Sequence, residues 1–529
     1  MARPSLPPFL ADLFADKRAG SALIASMAAL FAAGMDPKIL APSAASTQAL
    51  IKAQPEIEGF VLLISVVTAL LLLVGGVVGD TAPSRRVIQG GLTVSLFAAI
   101  LAFPLIDSGL PFEVVRLLGI ASAAIVMPVA LAVAATSYTG VARATAIGIA
   151  YAGYGLGQAL SPTLVGLIPG FLLPAFIGSV LACALALWVS RGRIPDLVHP
   201  SRAERPYVIG TALWAGAALL ITIAVLWIGG GWDNPERLAF IALGALLGVG
   251  YIVWERRRRS KAPGTVQIER RPVSVALFIG VVIALAQTVP MVILPVYFNV
   301  VLHYGALFGI VAVGPLFASL ILAGPIAGFL LARFQPRVLI AGGVAMIGLG
   351  DLATAAVLGP SSWYLAFIVP LILVGAGFVV ATTVRTAIIF ASVPRGLPAT
   401  AGALNEASIE VGTRAGIVVV TGLLTQMALG SYASSLAGQP QATIDASVSK
   451  FQDLLTALGT SGFKTLADEV TRTDLGAYAD AYIFGVRVAF LVGGLAALAG
   501  ALIAWLTLRR GNPLQTVYQH RDEREVPAA

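Results

Sequence analysis

A polytopic, all-helical membrane protein is the fold class that the sequence predicts, and three observations predict it. First, 58% of the 529 residues are apolar and only 11% are charged. A soluble domain carries roughly 25% charged residues, so this chain cannot coat a soluble surface and is too apolar to stay disordered. Second, the apolar residues fall in fourteen long runs, each near the ~20 residues that a membrane helix needs. The short alternating segments of a strand barrel are not the pattern seen. Third, the basic residues fall in alternate connections, as the positive-inside rule requires.

The elements follow in chain order. Residues 1–19 carry Leu and Phe at helical spacing, which fits either a short interfacial helix or a tail. The start, MARPSLPPFLADLFADKR, has little positive charge ahead of its apolar part and no clear cleavage site, unlike a signal peptide. Six spans follow, at 20–42, 57–79, 86–106, 112–137, 144–168 and 171–190, joined by short connections into a predicted bundle, 20–190. Segment 191–272 holds two more spans, 207–229 and 238–255, flanked by basic inner loops. A second six-span bundle, 273–508, holds 273–300, 305–332, 337–358, 363–391, 399–429 and 481–508, and residues 509–529 form a tail. The long outer segment 430–480 is expected to form short amphipathic helices, as a lid or as a surface connection. The layout is therefore two six-helix bundles with an inserted pair, and two-bundle transporters bind substrate between the halves near mid-membrane.

With both termini cytoplasmic, 24 Lys and Arg lie in inner segments against 5 in outer ones, out of 34 in all. This places the chain in a plasma or bacterial inner membrane. The net charge of +8 then needs no nucleic acid, and the run Arg256–Arg259 suits anionic lipid. Cys183 is alone, so no internal disulfide forms, and His199, His303 and His520 are too scattered for zinc. No metal or cofactor is expected.

Several motifs carry chemistry. Span 5 reads Gly148, eight residues, Gly157, three residues, Ser161-Pro162, two residues, Val165-Gly166. Small residues let helices approach closely and proline bends a helix. Between spans 2 and 3, GVVGDTAPSRR places Gly76 and Asp80 ahead of Arg85 and Arg86. Span 4 reads RLLGIASAAIVMP from Arg116, and span 1 ends FAAGMDPKILAP with Asp36. Together these resemble the antiporter, inner-loop, span-4 and span-1 motifs of the major facilitator superfamily. Residues 294–315 and 401–416 are similar to its fourteen-span drug:proton antiporter branch. That resemblance implies gating by Gly76, Asp80, Arg85, Arg86, Gly148, Gly157, Ser161, Pro162 and Gly166.

Charges inside apolar runs are costly and must face a cavity or the bundle interior. Glu406, Glu410 and Arg414 share one helical face. Asp36 and Glu410 are the expected proton carriers, with Arg116 and Arg414 as the cations that switch them. Lys38 competes with Arg116 for Asp36, and a purely structural Glu410–Arg414 pair is the plainer alternative. Gln287, Tyr297, Asn299 and Glu406 are the expected substrate contacts. The reading is a proton-coupled exporter of amphipathic drugs or metabolites, sufficient as a monomer, with small-molecule substrate, protons and membrane lipid as partners. A lipid or a specific natural product is the rival cargo. A membrane enzyme is disfavoured, because no HExxH, acidic metal pair or Ser-His pair is found. Neither rings of like charge nor a filter loop suggests a channel.

Overall fold

The computed structural model describes residues 13–35, 56–105, 108, 110–167, 173–197, 213, 217, 220, 235–261, 270–304, 308, 311–394, 396–460 and 472–508. The helices are α1 (Lys17–Met35), α2 (Glu56–Thr81), α3 (Ser84–Ala102), α4 (Leu110–Thr136), α5 (Gly140–Leu167), α6 (Leu173–Ser190) and α7 (Pro235–Lys261). They continue as α8 (Arg270–Val300), α9 (Gly314–Leu331), α10 (Pro336–Val357), α11 (Leu365–Ser392), α12 (Pro398–Ser435), α13 (Gln441–Thr460) and α14 (Arg472–Thr507). Ten are long and apolar enough to cross a membrane, and α2 and α7 carry shorter apolar stretches. Every predicted span except 207–229 overlaps one of these helices; that stretch lies almost wholly outside the described residues.

Three boundaries differ from expectation. The tenth span is expected from residue 305; Phe308 and Val311 are helical, and the unbroken helix α9 starts at Gly314, where Pro315 sits in its first turn. Proline fixes φ and lacks the N–H that a first turn leaves unpaired anyway, so it favours a start there. At the other side of the chain, α12 runs on to Ser435 and α14 begins at Arg472. Both extend past their apolar stretches because α13 packs against them. Tyr432, Phe451 and Tyr478 join the three helices, with ring centroids 4.7–5.0 Å apart. The outer segment is thus helical over Gln441–Thr460, and 461–471 lie outside the described residues.

Helices α1–α6 pack among themselves, and α8–α12 pack with α14. The two halves meet where α2 and α4 lie on α12, and where α5 lies on α9 and α11. At the start of the described chain, Leu13 is buried and its carbonyl accepts a 2.9 Å hydrogen bond from the Tyr138 hydroxyl. Burial and the nearby Asp16 push that phenol up to about 12, so it stays a donor at neutral pH.

Candidate functional site

A polar network lies buried where the halves meet. Tyr151, eleven residues into α5, donates its hydroxyl proton to Glu406 Oε1 in α12. Asn405 Nδ2 donates to the same carboxylate oxygen at 2.9 Å and also to the Tyr151 hydroxyl. Asn405 Oδ1 in turn accepts from Thr386 Oγ1 of α11 at 2.8 Å. Beside it Arg385, fully buried, donates to Ser408 Oγ (3.1 Å), the Ala276 carbonyl (3.3 Å) and the Asn405 carbonyl (3.4 Å). Its charge acts on Glu406 without a direct ion pair between the two. A Cβ at Gly280 of α8 would lie 2.5 Å from one guanidinium nitrogen and 2.8 Å from its carbon, so only glycine leaves Arg385 this space. At 1.5 Å rise per residue, the network sits about 10–16 Å from the helix ends on one side, near the middle of a ~30 Å core.

On that same side the halves are closed. Asp80, at the end of α2, is fully buried and accepts from the Ala399 N–H (2.7 Å), the Thr400 N–H (2.9 Å) and the Thr400 hydroxyl (2.5 Å). These are orphan donors at the N-terminus of α12, so a carboxylate there satisfies the backbone and meets the positive end of the helix dipole. One turn earlier, a Cβ at Gly76 would meet Ala403 at 2.5 Å. Gly402 lies against the Pro128 carbonyl of α4 in the same way, at 2.6 Å. Across the interface, Gly148 of α5 and Gly324 of α9 face each other so closely that a Cβ at Gly148 would sit 2.5 Å from the Gly324 carbonyl carbon.

The sequence profile of the Major Facilitator Superfamily matches residues 22–417. The chain belongs to this superfamily. Two relatives are resistance proteins. The puromycin resistance protein of Streptomyces alboniger is 29% identical over 72% of this chain and 76% of its own length. The tetracycline resistance determinant of Streptomyces rimosus is 25% identical over 52% of this chain and 83% of its own. Among solved structures, the human organic anion transporter MFSD10 aligns with a TM-score of 0.55 at 12% identity, over 94% of this chain and 100% of the other. The proton:xylose symporter XylE aligns at 0.52 and 12% identity, over 95% and 98%. These last two share the fold.

In this Major Facilitator Superfamily member the residues read from the motifs fall into groups. Gly76, Asp80 and Gly148 stand at the contact between halves, as described above. Gly157 lies on α1, where its Cβ would be 3.0 Å from Gly34 and Met35. Ser161 and Pro162 are buried further along α5, and among the described residues the Ser161 hydroxyl has no hydrogen-bond partner. Gly166 lies in the last turn of α5. Arg85 and Arg86 are exposed in the first turn of α3, away from that contact. Glu410 and Arg414 form an ion pair at 2.6 Å, half-exposed, one turn beyond Glu406. Their charges and that of Glu406 all act on Tyr154 of α5.

Arg116 is half-buried over the Phe112 ring at 5.7 Å, while Asp36 and Lys38 lie outside the described residues. The expected substrate residues of α8 are not gathered with Glu406. Gln287 is buried and Asn299 half-buried. Tyr297 is fully buried, its ring packed on Phe298 and Phe367 and its hydroxyl 2.5 Å from the Gly359 carbonyl, which makes it a packing residue here. Tyr151 and Asn405 were not singled out from the sequence. Their only signal is a polar group at mid-depth in a helix, and tyrosine and asparagine there are ordinary.

Proposed function

We propose that the chain is a proton-coupled exporter that moves amphipathic drugs or metabolites by alternating access, with Glu406 as its central proton carrier. The observation that carries this reading is one buried carboxylate, shared between the halves by Tyr151 and Asn405 and overseen by Arg385. An ionised Glu406 accepts from both donors. Once protonated on Oε2, it can keep both bonds to Oε1 but loses the charge that strengthens them. Proton uptake thereby loosens the tie of α5 to α12, and charge state and gate state become linked. Glu410 with Arg414, and Asp36 with Arg116, complete the proposed set of coupling charges.

The Asp80 end is cytoplasmic in this reading, as are both termini, because the basic connections lie on that side. Segment 191–272 is an insertion between two bundles, and the conformation seen is closed to the cytoplasm. The names of the puromycin and tetracycline resistance relatives support drugs as cargo. Export then runs against proton entry, and one bundle pair suffices as a monomer.

The test uses the protein in liposomes with an entrapped pH dye and puromycin as probe. Wild type is expected to move protons when puromycin is added, and Glu406→Gln to lose that movement while still inserting and folding. Equal proton movement in the variant removes Glu406 from the role. Puromycin uptake unaffected by a proton ionophore removes coupling altogether.

A further inference from the structure

A second carboxyl group, unconnected to the network above, lies in the contact of α8, α10 and α14. Asp351 of α10 is fully buried, and among the described residues neither of its carboxylate oxygens has a hydrogen-bond partner. It stands about 9 Å from the far end of α10 and about 22 Å from the end that begins at Pro336, so it lies at the opposite depth from Glu406. On its own helix Thr354, one turn on, spends its hydroxyl on the Gly350 carbonyl at 2.9 Å. A Cβ at Gly493 of α14 would be 3.5 Å from Asp351 Oδ2 and 2.8 Å from Val289 of α8. Gly348 and Gly494 close the helix pair beside it, and Gly350 backs onto the Pro370 carbonyl of α11.

The other charged and titratable groups on the packed helices stand at other positions along them. Helix α9 contains none. On α8 they are Arg270, Arg271 and Tyr297, the first two at the far end of that helix and the last bonded to Gly359. On α11 there is Arg385, bound into the Glu406 network, with Tyr364 at its start hydrogen-bonded to the Ala312 carbonyl. On α10 itself Arg337 stacks on Trp505 at 4.0 Å. On α14, Arg472, Asp474, Tyr478, Asp480 and Tyr482 lie nearer its first turns. Arg487 lies about 9 Å along the helix from Gly493. Its guanidinium donates to the Leu358 carbonyl at 2.7 Å, capping the end of α10.

An ionised carboxylate with no partner in such a place is far costlier than the neutral acid. We propose that Asp351 is a second proton-binding site of this protein, holding an exchangeable proton in the conformation closed at the Asp80 end. The step is simple: a proton from water joins the carboxylate to give the acid, and leaves to water when the α10–α14 contact separates. The site is independent of the cargo and of Glu406.

Infrared spectroscopy of the reconstituted full-length protein tests it without any substrate. With carboxyl-13C-labelled aspartate, wild type at neutral pH is expected to show an aspartic-acid C=O band that shifts with the label. The band should shift again on transfer to D2O, be lost in Asp351→Asn, and survive in Glu406→Gln. No label-sensitive band in wild type, or an unchanged band in Asp351→Asn, overturns the site. A band that never shifts in D2O overturns exchange. If Asp351→Asn does not fold, Asp351→Glu serves instead: the label-sensitive band must disappear, and its persistence refutes the assignment.

Discussion

Tyr151 does two jobs with one hydroxyl: it donates to Glu406 from the opposite half and accepts from Asn405. A hydrogen bond to a charged group contributes about 1.5–3 kcal/mol, roughly ten- to a hundredfold in the ratio of two states. Tyr151→Phe keeps the ring packing and removes that tie. The expected result is a transporter that still inserts but leaks protons without cargo, read as dye acidification in the absence of puromycin. Tight coupling in the variant would show that the bond is incidental. Arg385 makes a different case. Its fork reaches a hydroxyl and two carbonyls, which a lysine cannot span, so Arg385→Lys should lose most transport although the charge is kept. Glu406 and Arg385 are visible in the sequence as charges inside apolar runs. Tyr151 is not, because what gives it a role is a partner 255 residues away. Tyr297 of α8 is the converse case: it looks like a cavity aromatic in the sequence, and its hydroxyl donates to a backbone carbonyl.

At the scale of elements, hydropathy located the helices well and their ends poorly. Apolar length reports the part that lipid can surround, while α12 and α14 are prolonged by packing on α13 and the unbroken helix α9 begins at a proline turn. Helix α5 shows what a motif adds. It does not pass as one of the ten apolar spans, since much of its length is glycine with Tyr151, Tyr154, Gln158, Ser161 and Pro162. The glycines put its backbone against α9 at Gly148 and against α1 at Gly157. Spacing alone made that legible; which helix each glycine faces was not. Gly148→Leu forces a side chain into the Gly324 backbone, where no rotamer relieves the Cβ itself. Overpacking of this kind costs about 1–3 kcal/mol, charged here to only one of the two gate states. Transport should fall sharply while the amount of protein in the membrane, followed by gel filtration in detergent, stays near wild type. A variant that transports normally would mean that α5 and α9 need not approach this closely.

The whole molecule behaves as two halves whose contact at one end competes with contact at the other, and Asp80 measures that competition. Its carboxylate is in α2 and three of its donors are in α12, so this cap exists only while this end is shut. In an ordinary helix, losing an N-cap carboxylate costs about 0.5–2 kcal/mol of stability. Here the same loss falls on one conformation alone. It should therefore move the population toward the state open at this end by roughly 2- to 30-fold. A reporter is available in Ala403, buried beside Gly76 in the closed contact. The single native thiol, Cys183, is itself buried and is removed by Cys183→Ala. In that background Ala403→Cys should react slowly with a membrane-impermeant maleimide added from the Asp80 side. Adding Asp80→Ala should raise the labelling rate by about that same 2- to 30-fold, and adding Gly148→Leu should raise it as well, because both disfavour the closed state. Equal rates with and without Asp80→Ala would mean that the α2–α12 cap follows the gate without helping to hold it, and the energy of closure would then have to lie in the Tyr151–Glu406 network.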